Sequence, residues 1–421
     1  MAAGARTSNE TSELGGAMTR GATSRGRIAF IYGDYPPNPP GRSDGGSDFL
    51  QHLAETLSAR GFDITAIVSK RDDRREPFTQ RGVHVEPLIR EWSLRAALSG
   101  GLSAVTHLVR NRRIDLLHVI YPDPFLRYGS NSYRLPFLLK LVARRPLVVT
   151  FFGFGVTGGG PISNAGLFSL FATSNRIVIT DANLLRRFRR RMPWWSAKAR
   201  SGLVGGIAPE AADCWSEPGL GERKVTLGLD PGRRHIGFFG FWSPDKGLEN
   251  LLETQRILQA DGKATTLVLI GGRPHDKRFA YEQGIVDMAK RIGISASMVE
   301  TGPLSPGDVA KYLVAMDLCV LPFKVNPLGR SSLALSLSLG VPTLVTRPAG
   351  SEIALLEGSP TLESLEPAAI ASAITGLVES PGALSEASTA ALRAAHHWSW
   401  DAIADDYAAI YDELLGGGVG R

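Results

Sequence analysis

Lys246 follows Gly240 at the junction of an apolar run, Ile236 to Phe239, and an amphipathic helix whose inward stripe is Leu248, Leu251 and Leu252. A buried strand, a glycine turn and a lysine at a helix start together suit an anion such as phosphate. The glycine lets the backbone approach the ligand, and the lysine and the first free N–H groups of the helix face it. The competing reading makes Gly240 a simple turn and Lys246 a solvated side chain.

Two further features sit at strand ends. Gly45 and Gly46 follow Asp44 in the loop GDYPPNPPGRSDGGS, just before a helix expected from Asp48 to Arg60. Loops at such positions often carry function; the alternative is a flexible connector. His118, toward the end of the strand Leu116 to Ile120, is a candidate cleft residue, weighed against a satisfied core histidine.

The elements that must position these residues alternate regularly. In the first half, strands are expected at Arg27 to Tyr32, Ile64 to Val68, Val83 to Leu88, Leu116 to Ile120, Leu147 to Phe152 and Arg176 to Thr180, with a helix at Ser93 to Arg110. In the second half, Thr266 to Gly272 and Leu318 to Pro322 read as strands, with helices around Ala280 to Ile292 and ending near Ala315. This pattern predicts an α/β fold of two doubly wound, Rossmann-like sheets.

A chain of 421 residues suits two domains rather than one core. Apolar residues make up 43%, and no apolar run reaches the roughly 20 residues that span a bilayer. Residues 1–26 are small, polar and glycine-rich and read as a disordered tail without the apolar centre of a signal peptide. Cys214 and Cys319 alone provide neither a disulfide framework nor a thiolate metal site, which makes the cytoplasm the expected location. From Arg27 to Lys198 there are 25 Lys plus Arg against 13 Asp plus Glu; from Ala199 to Arg421 the figures are 19 and 26. A basic half joined to an acidic one implies an anionic partner for the first half. No nucleic-acid-binding signature accompanies the charge, so nucleic acid is not expected as a partner.

Two such domains in tandem, facing a cleft, resemble the GT-B glycosyltransferases, and within them the family-four-like group of retaining enzymes. The resemblance covers residues 27 to about 415 and rests on DGGSDFLQHLAETLSARGFDITAIV, IDLLHVIYP, GFWSPDKGLENLLE, LVLIGG, ETGPLSPGDVAKYLVAMDLCVLPF, LALSLSLGVPTLVT and WSWDAIADDYAAIYDELL. It implies an acceptor-binding domain at 27–199, a nucleotide-sugar-binding domain at 200–396, and a C-terminal helix, 397–415, crossing back to the first domain. It also implies a nucleotide-sugar donor as partner and no cofactor.

The chain departs from the family pattern at several points. Phe241 stands where an arginine usually shares the diphosphate with the lysine, Pro327 and Leu335 stand where two glutamates are usual, and Phe152 stands where a histidine is common. NPLGRSSLALSLSLG resembles a variation in which an arginine and small hydroxyl residues open this helix, so that Arg330, Ser331 and Ser332 join Lys246 and Gly240 as diphosphate-binding candidates. VGGIAP, Val204 to Pro209, fits the same variation. The competing reading is a serine-capped helix with Arg330 solvated.

The chemistry implied is metal-independent. A retaining transfer passes through an oxocarbenium-like state while charge grows on the departing diphosphate, and Lys246, Arg330 and helix dipoles could stabilise it. No Asp-x-Asp or His-x-His cluster stands out, and no side chain is assigned a catalytic role. A non-catalytic homologue acting as a binding or regulatory subunit, or a nucleotide-sugar epimerase, are the alternatives. Finally, NLLRRFRRRMPWW sets Arg186, Arg187, Arg189, Arg190 and Arg191 beside Phe188, Trp194 and Trp195. That mixture suits an anionic membrane surface, with the protein peripheral at the inner membrane face, or an anionic or lipid-linked acceptor; the alternative is a solvated basic helix with its aromatics in the core.

Overall fold

The computed structural model describes residues 24–36, 45–70, 75–89, 102–121, 140–141, 143–152, 168–206, 219–271 and 279–416. The expectations for most of the tail, for Asp44, for Ser93 to the start of its helix, for Cys214 and for Ile207 to Pro209 lie outside these residues.

The described strands form two sheets. The first contains β1 (Arg27–Ile31), β2 (Asp63–Ser69), β3 (Phe78–Gln80), β4 (Val83–Ile89), β5 (Leu116–Tyr121), β6 (Leu147–Phe151), β7 (Arg176–Ile179) and β8 (Ala199–Ser201), in the order β3-β4-β2-β1-β5-β6-β7-β8. All its pairings are parallel except β3 with β4. The second contains β9 (Arg234–Phe239), β10 (Thr265–Ile270), β11 (Met298–Glu300), β12 (Leu318–Leu321), β13 (Thr343–Thr346) and β14 (Thr361–Leu362), all parallel, in the order β11-β10-β9-β12-β13-β14. Interior strands such as β6 and β12 are buried along their whole length, which is why they read as unbroken apolar runs.

Helices join the strands: α1 (Gly45–Ala59), α2 (Leu102–Asn111), α3 (Ala182–Arg191), α4 (Leu220–Thr226), α5 (Leu248–Ala260), α6 (Phe279–Arg291), α7 (Pro306–Val314), α8 (Ser331–Ser338), α9 (Pro367–Glu379), α10 (Ala383–Ala395) and α11 (Trp400–Gly416). In α1 the buried residues Phe49, Leu50, Leu53, Ala54 and Leu57 form one stripe toward the sheet. α8 is buried on nearly every side, from Ser332 to Leu337, because it is wedged between the second sheet, α10 and the crossover segment 202–206.

Strand order reverses at β1 in one sheet, between β2 and β5, and at β9 in the other, between β10 and β12. Open α/β sheets bind ligands outside the carboxyl ends of strands at such points.

The two units are tied by α11. Trp398 belongs to the core of the second sheet, whereas Ile403, Ala404, Tyr407, Ala408 and Tyr411 belong to a core of the first. The Trp400 indole donates to the Gly206 carbonyl at 2.9 Å, and Arg60 pairs with both Asp401 and Asp405 at 2.9 Å. Arg25 with Asp412 and Arg176 with Glu413 complete the seam.

Candidate functional site

Gly240 ends β9 with φ +141°, a left-handed backbone that only glycine adopts without strain. Among the described residues a Cβ built there meets nothing nearer than the Ser332 hydroxyl, 4.0 Å away in the first turn of α8. The glycine turn and the serine-rich helix start, far apart in sequence, therefore face each other at the reversal point of the second sheet. Ser332 is buried, whereas Gly240, Ser331 and Arg330 are partly exposed.

A 3-10 turn, Pro244–Lys246, leads into α5. Gly247 follows with φ +71°, and a Cβ there would lie 2.2 Å from the Pro322 carbonyl oxygen. The start of α5 thus presses on the end of β12, and a larger residue would push the two apart. Lys246 Nζ sits 4.4 Å from the centre of the Phe323 ring, a cation–π contact that aims the ammonium across the top of β12.

Lys246 and Arg330 are brought together, but around an acid the sequence reading did not single out. Arg330 Nη2 lies 3.5 Å from Asp245 Oδ2. Burial alone would push the Asp245 carboxyl up; the Ser243 hydroxyl donating to it and the charges of Lys246 and Arg330 hold it below the usual carboxylate range. The Lys324 N–H also donates to the Asp245 backbone carbonyl at 2.9 Å, fixing the turn. Adjacency to Lys246 was the one sequence signal for Asp245; its meeting with Arg330 depends on the tertiary fold.

Two more glycines extend this edge. Gly271 after β10 has φ +98° and Gly302 after β11 has φ +69°. They pair as an isolated bridge, and the Gly271 N–H donates to Thr301 Oγ1 at 3.0 Å. With Gly240, whose carbonyl oxygen lies 3.7 Å from a Cβ built on Gly271, adjacent strands β11, β10 and β9 are each followed by a glycine of positive φ, a glycine shelf at the carboxyl edge of the sheet.

Other expectations land elsewhere. His118 is not at the cleft: it is fully buried, with Nδ1 2.6 Å from Tyr411 Oη and Nε2 2.8 Å from Thr150 Oγ1, and Thr150 Oγ1 lies 2.7 Å from Tyr407 Oη. Its ring stacks on Tyr407, and burial pushes its pKa down to about 3, so it is a neutral anchor for α11. Gly45 and Gly46 lie within α1 rather than in a turn before it, and among the described residues nothing lies within 4 Å of a Cβ built on Gly45.

The substituted family positions have clear surroundings. Phe241 is 58% exposed. Leu335 is buried on α8, where a Cβ on Gly206 would come within 3.1 Å of its backbone. A carboxylate in so covered a place would lack water. Pro327 is buried as well.

The arginine run divides between its two readings. Leu185 and Phe188 bury into the first unit, while Arg186, Arg187, Arg189, Arg190 and Arg191 are all exposed. Trp194 is 63% exposed, and Trp195 packs on Phe168 and beneath Lys198. Among the described residues, no group of three or more His, Cys, Asp or Glu side chains is placed to hold a metal ion, and no helix is long and apolar enough to cross a membrane.

Comparisons with known proteins agree with this architecture. The glycosyl transferase 4-like domain model matches residues 44–192, and the glycosyl transferases group 1 model matches residues 233–380. The chain belongs to the GT-B glycosyltransferases of the family-four-like type. D-inositol 3-phosphate glycosyltransferase of Rhodococcus opacus (strain B4) is 28% identical over 45% of this chain and 43% of its own, so the match spans under half of that relative. The protein of that name from Thermomonospora curvata is 23% identical over 89% of this chain and 92% of its own. Among solved structures, sucrose-phosphate synthase from Thermosynechococcus elongatus superposes with a TM-score of 0.72 at 16% identity, covering 94% of this chain and 100% of that one. Anabaena Alr3699/HepE in complex with UDP and glucose gives a TM-score of 0.70 at 14% identity, over 92% and 100%. These likenesses establish the shared fold.

Proposed function

We propose that the protein transfers a sugar from a nucleotide-sugar donor to an acceptor, with retention of anomeric configuration and without a metal ion. The observation that carries this reading is the convergence of Lys246, Arg330 and the Gly240–Ser332 pair at the reversal point of the second sheet. The donor diphosphate lies against the two cations, the Ser331 and Ser332 hydroxyls and the N-terminus of α8. The nucleoside extends over the glycine shelf of Gly271 and Gly302. One solved structure of this fold, Anabaena Alr3699/HepE, is in complex with UDP and glucose, in keeping with such a donor.

In the reaction, the bond between the anomeric carbon and the diphosphate oxygen breaks and the acceptor oxygen bonds to the same face of the sugar. The acceptor proton passes to the departing phosphate oxygen. The protein contributes by stabilising the charge that grows on that leaving group, which the fixed cations do best when it is greatest.

The acceptor meets the basic first unit, which favours a phosphorylated or lipid-linked molecule; several relatives are named for inositol 3-phosphate. Exposed arginines on α3 beside Trp194 and Phe168 suit peripheral contact with an anionic membrane face. A panel of nucleotide sugars incubated with the protein alone tests the core of this reading by binding and slow donor hydrolysis. Binding of no nucleotide sugar would reject it. Nucleotide binding without hydrolysis, or transfer, with any acceptor would favour a non-catalytic subunit, and product without acceptor an epimerase.

A further inference from the structure

The loop that presents Arg330 is held from both units of the molecule. Gly329 lies so close to the end of β7 that a Cβ on it would be 2.2 Å from the Thr180 carbonyl oxygen. On the other side of that loop, the Leu328 N–H donates to Asn326 Oδ1 at 3.0 Å, and the Trp398 indole donates to the Leu328 carbonyl at 3.0 Å. Asn326 is 6% exposed, and its Nδ2 donates to Glu352 Oε2 at 3.1 Å. That same carboxylate oxygen is 3.5 Å from Arg186 Nη1, on α3 of the first unit. One oxygen thus serves both an N-terminal arginine and the amide that shapes the loop before Arg330.

We infer that Glu352 is a positioning residue that couples the orientation of the two units to the placement of Arg330. When Arg186 reaches Glu352, the carboxylate is anchored from across the cleft and holds Asn326, so the turn 326–329 sets Arg330 at the mouth of α8. When the units separate, Arg186 leaves, Glu352 gains freedom, and the loop loses one of its two outer supports. Arg186 stands among the exposed arginines of α3, so an anion bound on that helix competes with Glu352 for it. The coupling therefore links the face that meets an anionic acceptor with the cation that meets the donor. The inference rests on the donor site proposed above, but the interdomain contact stands without it.

The test uses the full-length protein and three variants, Arg186→Gln, Glu352→Gln and both together. Glutamine at 352 can still accept from Asn326 and loses only the charge. First, spin labels on cysteines introduced at exposed Arg110 and Asp261, with Cys214→Ser, report the distance between units without nucleotide. Each single variant should shift or broaden the distance distribution, and unchanged distributions in both would overturn the coupling. Second, titration calorimetry with UDP and ADP compares the same variants with Lys246→Ala. The single variants should each weaken binding about two- to five-fold, with the double variant no weaker than either, since residues acting through one contact are not additive. Additive losses, or no loss while Lys246→Ala weakens binding, would overturn the positioning role and leave the donor site standing. Unchanged binding in Lys246→Ala would instead reject the donor reading, and the distances would still decide the contact between the units.

Discussion

Arg330 Nη2 stands 3.5 Å from Asp245 Oδ2, and Lys246, next along the chain from Asp245, contributes to the same electrostatic cluster. A carboxylate therefore occupies the field of the cations assigned to the donor diphosphate. On the donor site proposed above, an incoming diphosphate competes with Asp245 for them. Asp245→Asn should tighten pyrophosphate and nucleoside diphosphate binding by ~1 kcal/mol, a modest gain because solvent screens the pair. Calorimetry giving weaker binding in this variant would make Asp245 a support for Arg330 rather than a competitor.

Removing either cation should act the other way. Lys246→Ala and Arg330→Ala should each weaken nucleoside diphosphate binding by about 1.5 to 3 kcal/mol, the range for a hydrogen bond to a charged group. Affinity unchanged in both variants would reject the site.

Turnover should survive EDTA, and NMR of the product should find the donor's anomeric configuration. Activity abolished by EDTA and restored by magnesium or manganese would contradict the metal-independent mechanism, and an inverted anomer would contradict retention.

His118 predicts a pH dependence of stability. Burial lowers its folded pKa to about 3, against about 6.5 when unfolded. Below pH ~6.5 the unfolded chain takes up a proton that the folded chain refuses until pH ~3. Stability therefore falls as pH is lowered through that window, by up to about 1.4 kcal/mol per pH unit from this group. His118→Asn should flatten that slope in denaturant titrations at pH 4 to 7, after its own loss of stability at neutral pH is subtracted. An unaltered slope would assign the acid sensitivity to other groups.

Gly329→Ala should loosen the contact between the units, since its Cβ would overlap the Thr180 carbonyl. A cost of ~1–3 kcal/mol is usual for an added methyl in a tight place. A melting temperature and an interdomain distance both equal to wild type would mean that the loop yields freely.

Much of this was legible locally. Strands such as Leu147–Phe151 announce themselves because both faces are buried, and the glycine-lysine junction at 240–247 marks the reversal point because glycine alone fits there. The strands Phe78–Gln80, Ala199–Ser201 and Thr361–Leu362 are too short to carry a periodic signal. His118 misled because a strand residue does not say what covers its face: its partner Tyr411 lies 293 residues along the chain. Asp245, Glu352 and Asn326 were missed for a related reason. Each is an ordinary polar residue until folding sets Asp245 against Arg330, Glu352 against Arg186 and Asn326 against Glu352.

The return of α11 to the first sheet has a consequence for the order of synthesis. As the chain leaves the ribosome, β1 through β8 are complete long before Ile403, Tyr407 and Tyr411 exist to cover His118, Thr150 and the Phe49 side of α1. The first half therefore keeps an apolar groove and several unpaired polar groups open to water until residues 400–416 have been made. Domain-by-domain maturation, the usual course for a chain of this size, would leave the first unit without the helix that covers this face. The half translated first is covered by the helix translated last among the described elements.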